Sequence, residues 1–330
     1  MPKERTGLAF RVKAAMKYRL PGIYGRLLLL RRYPAQFGDL VSVGRLKLAV
    51  LQGNRPIIIN LSLRAGFFAN LSSYISLLKY CELNGLGSVV RLTGPTYQGA
   101  GMKDDWFEKY FDRLAGPRRA DAGARPRRIT FRSVKALELP SIGSMLSLSE
   151  AARLLQQNAS VKRDIATEAD EIFTSQELDG SRTLGIHYRG TDKSFESERV
   201  AYESVLTVVR RVLDVDGPFD AVLVASDETD FVDYVFEQDL GVRVISPPYT
   251  AKGNPTTAPH MMPALDKLIV GREALVTCLA LSKCSKLVRT SSYLSAWAKV
   301  FNPSLVTHTL NAPYNPNTFP EAQLLSLERP

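Results

Sequence analysis

The feature that most constrains this chain is the regular alternation, after residue 182, of short apolar runs with longer stretches of helical spacing. The expected strands lie at residues 184–188, 221–225, 242–245 and 286–288, and the expected helices at residues 200–213, 229–236, 264–281 and 292–301. Strands that alternate with helices build a parallel sheet with helices on its faces. The pattern therefore predicts a doubly wound α/β domain.

The first half of the chain contains one clear unit of the same kind. A strand is expected at residues 56–61, a helix at 67–83 and a strand at 88–92, which together predict a βαβ unit. The turn before the helix carries Arg64 and Gly66, so an anion could bind at the helix N-terminus. Further on, we expect a short helix at residues 104–114 and helical structure over 146–173.

A polar stretch at residues 175–182 with Gly180 is typical of a linker, and 330 residues are enough for two domains. We therefore place a domain boundary near residue 180, after a basic N-terminal arm over residues 1–40 and a first α/β domain over residues 41–180. A second Rossmann-like domain would follow over residues 181–330.

Positive charge is concentrated in two segments of the chain. Residues 1–32 carry a net charge of +8 and residues 117–133 a net charge of +5, against a total of +10, which leaves the rest of the chain at −3. The plain interpretation is a solvated basic arm and loop. Alternatively, residues 1–32 form a helix on an anionic membrane surface, with Leu8, Val12, Met16 and Leu20 on one face, or the Arg-rich loop at 117–133 binds an anionic ligand. Nucleic acid is not expected as a partner, because no basic stripe with interleaved aromatic residues is visible on the domain.

Cysteine usage and the N-terminus indicate the compartment. The three cysteines, Cys81, Cys278 and Cys284, form no CxxC pair, which argues against a disulfide framework and a structural zinc site. The run from Leu27 to Leu30 is too short for a membrane span or a signal peptide. We expect a cytoplasmic protein, with peripheral contact at the inner face of the membrane as an option for residues 1–32.

The strongest chemical signal is the polar string that begins at the carboxyl end of the expected strand at 184–188. The string reads His187, Tyr188, Arg189, Gly190, Thr191, Asp192 and Lys193. Arg189 offers a planar fork of donors that suits phosphate, and Lys193 offers a point charge. Gly190 permits close approach of a ligand to the backbone. An ion pair between Arg189 and Asp192 is the plain structural alternative.

Two further strings also follow strands, where doubly wound sheets bind ligands. Asp227 and Glu228 open a helix after the second strand, either as ligand contacts or as ordinary residues of a first helical turn. Thr290, Ser291 and Ser292 precede the last expected helix, whose N-terminus suits phosphate. Arg272, on the long helix before them, is a further candidate for donor binding, with an exposed ion pair on the helix as the structural alternative.

Over residues 183–303 these motifs resemble the superfamily that joins the α1,6-fucosyltransferases with the protein O-fucosyltransferases. Its first motif is matched by His187, Arg189, Thr191, Asp192 and Lys193. Its acid after the next strand is matched by Asp227. A Leu-Ser-x-Cys stretch with a Thr/Ser cluster is matched by residues 281–284 and 290–292.

The resemblance implies two Rossmann-like domains that face each other across a cleft, the GT-B type of glycosyltransferase. The first domain would bind the acceptor and the second the nucleotide sugar, with GDP-fucose as donor and neither a metal ion nor another cofactor. Arg189 would contact the diphosphate, His187 the nucleotide and sugar, Asp227 the guanosine, and Ser291 or Ser292 the phosphates. Glu196 or Glu198 would be the base.

The leading hypothesis is thus an inverting, metal-independent glycosyltransferase that moves fucose from GDP-fucose to a hydroxyl of a glycan or glycolipid. A second hypothesis keeps the fold and changes the donor to another GDP- or UDP-sugar. A third, from a different class, is a basic protein that binds nucleic acid or an acidic glycan through residues 1–32 and 117–133.

Overall fold

The computed structural model describes residues 34–52, 57–98, 105–114, 126–132, 146–190, 197–249, 259–314 and 318–328. Its larger sheets are both wholly parallel, one of three strands in the first half of the chain and one of five in the second. The expectation of an α/β chain with parallel sheets is confirmed. None of the helices within these ranges has both the length and the apolar character that a bilayer span requires.

The five-stranded sheet has the doubly wound order. Its strands are β6 (Thr183–Tyr188), β7 (Ala221–Ser226), β8 (Arg243–Ile245), β9 (Lys286–Arg289) and β10 (Val306–Thr309). The spatial order is β10-β9-β6-β7-β8, so the chain runs outward from β6 in one direction and then returns to build the other side. The order therefore reverses between β6 and β9, and ligands bind at such a switch point, beyond the carboxyl ends of the strands.

The helices of the second half follow the predicted alternation. They are α5 (Tyr202–Asp216), α6 (Thr229–Phe236), α7 (Lys267–Lys283), α8 (Tyr293–Phe301) and α9 (Glu321–Glu328). The predictions for α5 to α8 are confirmed, with ends that differ by up to three residues. Strand β10 and helix α9 extend the fold past residue 301, where the sequence pattern had ended.

The three-stranded sheet contains the predicted βαβ unit. Strand β1 (Ile57–Leu61), helix α2 (Phe67–Leu83) and strand β2 (Ser88–Leu92) follow one another, and β1 pairs in parallel with β2. Strand β4 (Arg127–Phe131) adds to the other side of β1. Helix α1 (Pro34–Gln52) precedes the sheet and packs against β4.

The middle of the chain differs from two predictions. Residues 104–114 were expected to form a helix, but the described part has a 3₁₀ turn at Trp106–Lys109 and strand β3 (Phe111–Arg113). Residues 146–173 form two helices, α3 (Leu148–Asn158) and α4 (Arg163–Thr174), separated by strand β5 (Ala159–Val161). The interruption arises because β5 pairs with β3 in an antiparallel ribbon.

Buried contacts join the two halves of the chain. The Trp297 indole N–H donates to Ser72 Oγ at 2.8 Å, and the Trp297 ring lies 5.9 Å from that of Phe68. Both aromatic side chains belong to one apolar core that includes residues of both sheets. The domain limits at residues 40 and 180 stay predictions, as does a GT-B arrangement of two facing domains.

Candidate active site

A cavity of about 450 Å³ lies at the carboxyl end of the five-stranded sheet, between the two halves of the chain. The ends of β6 and β7 contribute His187, Arg189 and Asp227, and the start of α8 contributes Ser292 and Tyr293. The first half contributes residues 64–69, at the start of α2, together with Tyr97. The cavity thus occupies the switch point at which the doubly wound topology predicts a ligand site.

Arg189 is held at the cavity wall by Asp227 and Thr290, the residues that directly follow β7 and β9. Its Nη1 atom lies 2.7 Å from Asp227 Oδ2, and the two side chains are 19% and 8% exposed. The backbone N–H of Arg189 donates to Thr290 Oγ1 at 2.8 Å, and that of Gly190 donates to Asp227 Oδ1 at 3.1 Å. Asp227 therefore contacts both Arg189 and Gly190, and this geometry gives Asp227 a role in positioning the Arg189 guanidinium.

Gly190 is needed at its position because of Glu228. A Cβ atom on Gly190 would lie 2.3 Å from the Glu228 carboxylate. That carboxylate is held by both terminal nitrogens of Arg199 at 2.8 Å and by the Tyr202 hydroxyl at 2.7 Å. Burial and the nearby Glu228 charge raise the pKa of Tyr202. Glu228 is not among the residues that line the cavity and instead braces the loop behind Arg189.

The third predicted motif, residues 290–292, is held in place by the buried side chain of Arg289. Arg289 is fully buried and donates to the Ser292 carbonyl at 3.0 Å and to Glu321 at 2.5 Å. The Ser291 hydroxyl also contacts Glu321, at 3.2 Å, and its backbone N–H donates to Asn311 Oδ1 at 2.7 Å. Ser292 alone of the predicted Thr290, Ser291 and Ser292 lines the cavity. Ser291 instead anchors the turn.

Two helix N-termini border the same cavity. Helix α2 begins after Gly66 and helix α8 after Ser292, and neither N-cap residue provides a side-chain capping bond. The first N–H groups of a helix carry partial positive charge and bind anions. With Arg64 and Arg189 also in the wall, the site suits a ligand with more than one negative charge.

Glu273 also lines the cavity, although the sequence patterns did not single it out as a site residue. Within the described part of the chain, the carboxylates that line the cavity are those of Asp227 and Glu273. Helix α7 presents Glu273 together with Val270, Ala274 and Thr277, which are spaced three or four residues apart as one helix face requires. That spacing groups the four residues on one helix face, but the sequence does not show that this face borders a cavity.

Aromatic side chains form much of the remaining wall. Phe67, Phe68, Tyr97, Tyr249 and Tyr293 line the cavity. The pKa of Tyr97 is raised because the side chain is buried, although the nearby Arg189 charge opposes the rise. His260 adds a ring that lies nearly parallel to Tyr97, with the centroids 6.3 Å apart. Such walls offer stacking surfaces for a planar ring.

Several predicted residues lie elsewhere. Arg272 donates to Asp164 and Glu168 of helix α4 at 2.6 Å and does not line the cavity, so the structure places it away from the predicted donor contact. Glu198 is exposed, and its carbonyl accepts from Asn311 Nδ2 at 2.6 Å. The predictions for Thr191, Asp192, Lys193 and Glu196 lie outside the described residues.

In the part of the chain that the structure describes, no group of three or more His, Cys, Asp or Glu side chains could hold a metal ion. The three cysteines are buried and unpaired as disulfides.

No protein-family model and no curated protein matches the chain. Among solved structures, it is similar to NodZ α-1,6-fucosyltransferase soaked with GDP-fucose, at 18% identity and a TM-score of 0.48 over 74% of this chain and 92% of that one. NodZ has also been solved from Bradyrhizobium. These structures include fucosyltransferases, the family that the C-terminal motifs resemble.

Other similar structures share less of the sequence. A variant of FUT1 from Arabidopsis thaliana in complex with GDP has 13% identity and a TM-score of 0.44 over 82% of this chain and 74% of that one. A family 9 glycosyltransferase from Veillonella parvula has 9% identity and a TM-score of 0.42 over 84% of this chain and 92% of that one.

Proposed function

We propose that this protein is an inverting, metal-independent glycosyltransferase that moves fucose from GDP-fucose to a hydroxyl of a glycan or glycolipid. The observation that carries the proposal is that Arg189 and the N-termini of α2 and α8 border the same cavity. This arrangement suits a nucleoside diphosphate, whose charge would be shared between a guanidinium and two sets of backbone N–H groups.

The diphosphate is also the group that acquires charge in the reaction. A bond forms between the acceptor oxygen and the anomeric carbon, and the bond from that carbon to the phosphate oxygen breaks. The leaving GDP takes the bonding electron pair. Arg189 is already oriented by Asp227 at 2.7 Å, so it stabilises this developing charge without having to reorganise.

The position of Glu273 in the cavity supports guanine as the nucleobase of the donor. A carboxylate can accept two hydrogen bonds from the N–H groups on one edge of guanine, whereas uracil has a single N–H on its ring. The aromatic side chains of Tyr97, Tyr249 and Tyr293 would supply apolar surface for that ring. Other GDP-sugars share this recognition, so fucose itself rests on the resemblance of the motifs.

Glu273 is also suited to a second role. An acceptor hydroxyl must lose its proton as it attacks, and a carboxylate in the cavity can take that proton. Glu196 and Glu198 are the bases that the family resemblance implies. Substitution of Glu273 by Gln distinguishes guanine recognition from proton removal.

The activity test uses purified full-length protein and a panel of nucleotide sugars with glycan acceptors. Release of GDP from GDP-fucose in the presence of EDTA, with an inverted anomeric configuration in the product, is the expected result. Arg189→Ala should lower turnover by about 10²- to 10³-fold. Arg272→Ala, which removes an arginine with two carboxylate partners outside the cavity, is the matched control and should retain turnover.

Transfer from a UDP-sugar in preference to every GDP-sugar would overturn the donor assignment. Activity that requires a divalent cation would contradict metal independence.

A further inference from the structure

Helix α1 and strand β4 lie together at one edge of the three-stranded sheet. Helix α1 continues directly from the segment 1–32, and strand β4 lies within the segment 117–133. The helix and the strand are joined because Ser42 Oγ donates to the Thr130 carbonyl at 2.6 Å and the Arg132 N–H donates to Asp39 Oδ1 at 2.7 Å.

Helix α1 has apolar residues on two faces. Leu46 and Ala49 are buried toward the sheet. On the opposite side, the exposed fractions are 45% for Leu40, 46% for Leu48 and 82% for Leu51. With about 3.6 residues per turn, these three leucines form one stripe, and the exposed Val41 lies beside it.

Cations flank this stripe and no exposed acid interrupts it. Arg45 and Lys47 are exposed on α1, on either side of the leucines. The one acidic residue of the helix, Asp39, is buried and accepts from the backbone N–H of Arg132, directly after β4. Arg128 of β4 and Arg132, the residue after β4, are exposed as well. The surface is thus apolar along its centre and positive at its rim.

We infer that the exposed face of α1 docks on an anionic membrane surface. A helix that lies in a membrane interface places aliphatic side chains at the boundary of the acyl chains and Lys or Arg at the headgroups, as this helix would. The cytoplasmic leaflet supplies the negative charge. A nucleic acid would satisfy the cations but would leave the aliphatic stripe in water. The inference is independent of the proposed transferase activity.

The test is co-sedimentation of the full-length protein with vesicles of phosphatidylcholine, with and without phosphatidylserine. We expect binding to the anionic vesicles that weakens as salt is added. Replacing Arg45 and Lys47 with Ala should weaken it by about fivefold for each cation. Leu51→Glu should weaken it by at least about tenfold, because a buried apolar contact becomes a buried charge.

The matched control is Val215→Glu. Val215 is 74% exposed and is the penultimate residue of α5, as Leu51 is of α1, so the substitution has the same chemistry at the same position of a helix. It should bind vesicles like the unmodified protein. Unchanged thermal unfolding of both variants shows that the fold is retained.

Three results would overturn the inference. The first is equal binding by the Leu51 and Val215 variants. The second is tighter binding to a DNA duplex than to phosphatidylserine vesicles, which would assign the surface to nucleic acid. The third is a dimer in solution that Leu51→Glu dissociates, together with no vesicle binding, which would assign the stripe to a second copy of this chain.

Discussion

Asp227→Asn separates a positioning role for this carboxylate from direct contact with the nucleotide. The substitution keeps the size of the side chain and removes the negative charge 2.7 Å from Arg189. Loss of one partner from a fully buried ion pair costs about 3–5 kcal/mol. Because Arg189 is 19% exposed and can be partly hydrated, we expect the free energy of unfolding to fall by a smaller amount, about 2–3 kcal/mol.

The assay is a double-mutant cycle with Arg189→Ala, read by urea unfolding and by the Kd for GDP. If Asp227 acts through Arg189, Asp227→Asn alone should weaken GDP binding by about tenfold, because the guanidinium loses its fixed orientation. In the Arg189→Ala background it should have no further effect on binding. The double variant should also be more stable than the Asp227→Asn variant, because no uncompensated charge remains.

Additive losses of GDP affinity would refute this reasoning. They would mean that Asp227 contacts the nucleotide independently of Arg189, as expected for an acid that binds the guanosine end.

Three further predictions concern Gly190, Glu273 and Cys81. Gly190→Ala should lower the free energy of unfolding by about 1–3 kcal/mol, measured by thermal denaturation, because the new methyl group meets the pinned Glu228 carboxylate; an unchanged melting temperature would contradict the close contact. Glu273→Gln should reduce the preference for GDP over UDP with little change in kcat if this residue binds guanine, and should lower kcat with an unchanged KM for the donor if it is the base. Burial raises the pKa of the Cys81 thiol from 9.0 to about 11. The contribution of the neutral thiol to the free energy of unfolding is therefore complete below about pH 9 and is lost as the pH rises toward 11. Alkylation of Cys81 at pH 8 as fast as that of a free thiol would contradict this burial.

The switch-point site could be predicted because it depends on local patterns. Every residue of β6 is buried, so the strand appears in the sequence as an apolar run, and the polar string begins where that run ends. Carboxyl ends of parallel strands meet at one edge of a sheet, so Arg189 and Asp227 could be assigned to the same edge without knowledge of the structure.

The partner of Arg189 could not be predicted, because it depends on the register between strands. The pairing of Tyr188 with Ser226 brings the residues that follow both strands side by side. From the sequence, Asp192 was an equally good partner. The ribbon of β3 and β5 was missed for a similar reason, since strands of three residues are too short to show a period.

Glu273 was missed because helix α7 is apolar on more than one side. Its buried residues include Val270, Leu275, Val276 and Leu279, which do not define a single core face. Without the position of α7 against the sheet, neither Arg272 nor Glu273 could be assigned to the cavity. The structure places them on different sides of the helix.

The central claim is that the cavity binds a nucleoside diphosphate through Arg189. It is tested most directly by calorimetric titration of the full-length protein with GDP, without metal, and with UDP and GMP as comparison ligands. We predict a Kd for GDP on the order of micromolar, weaker binding of UDP and GMP, loss of GDP binding in Arg189→Ala and retention in Arg272→Ala. Binding of GDP that Arg189→Ala leaves unchanged, or no binding of any nucleoside diphosphate, would contradict the claim.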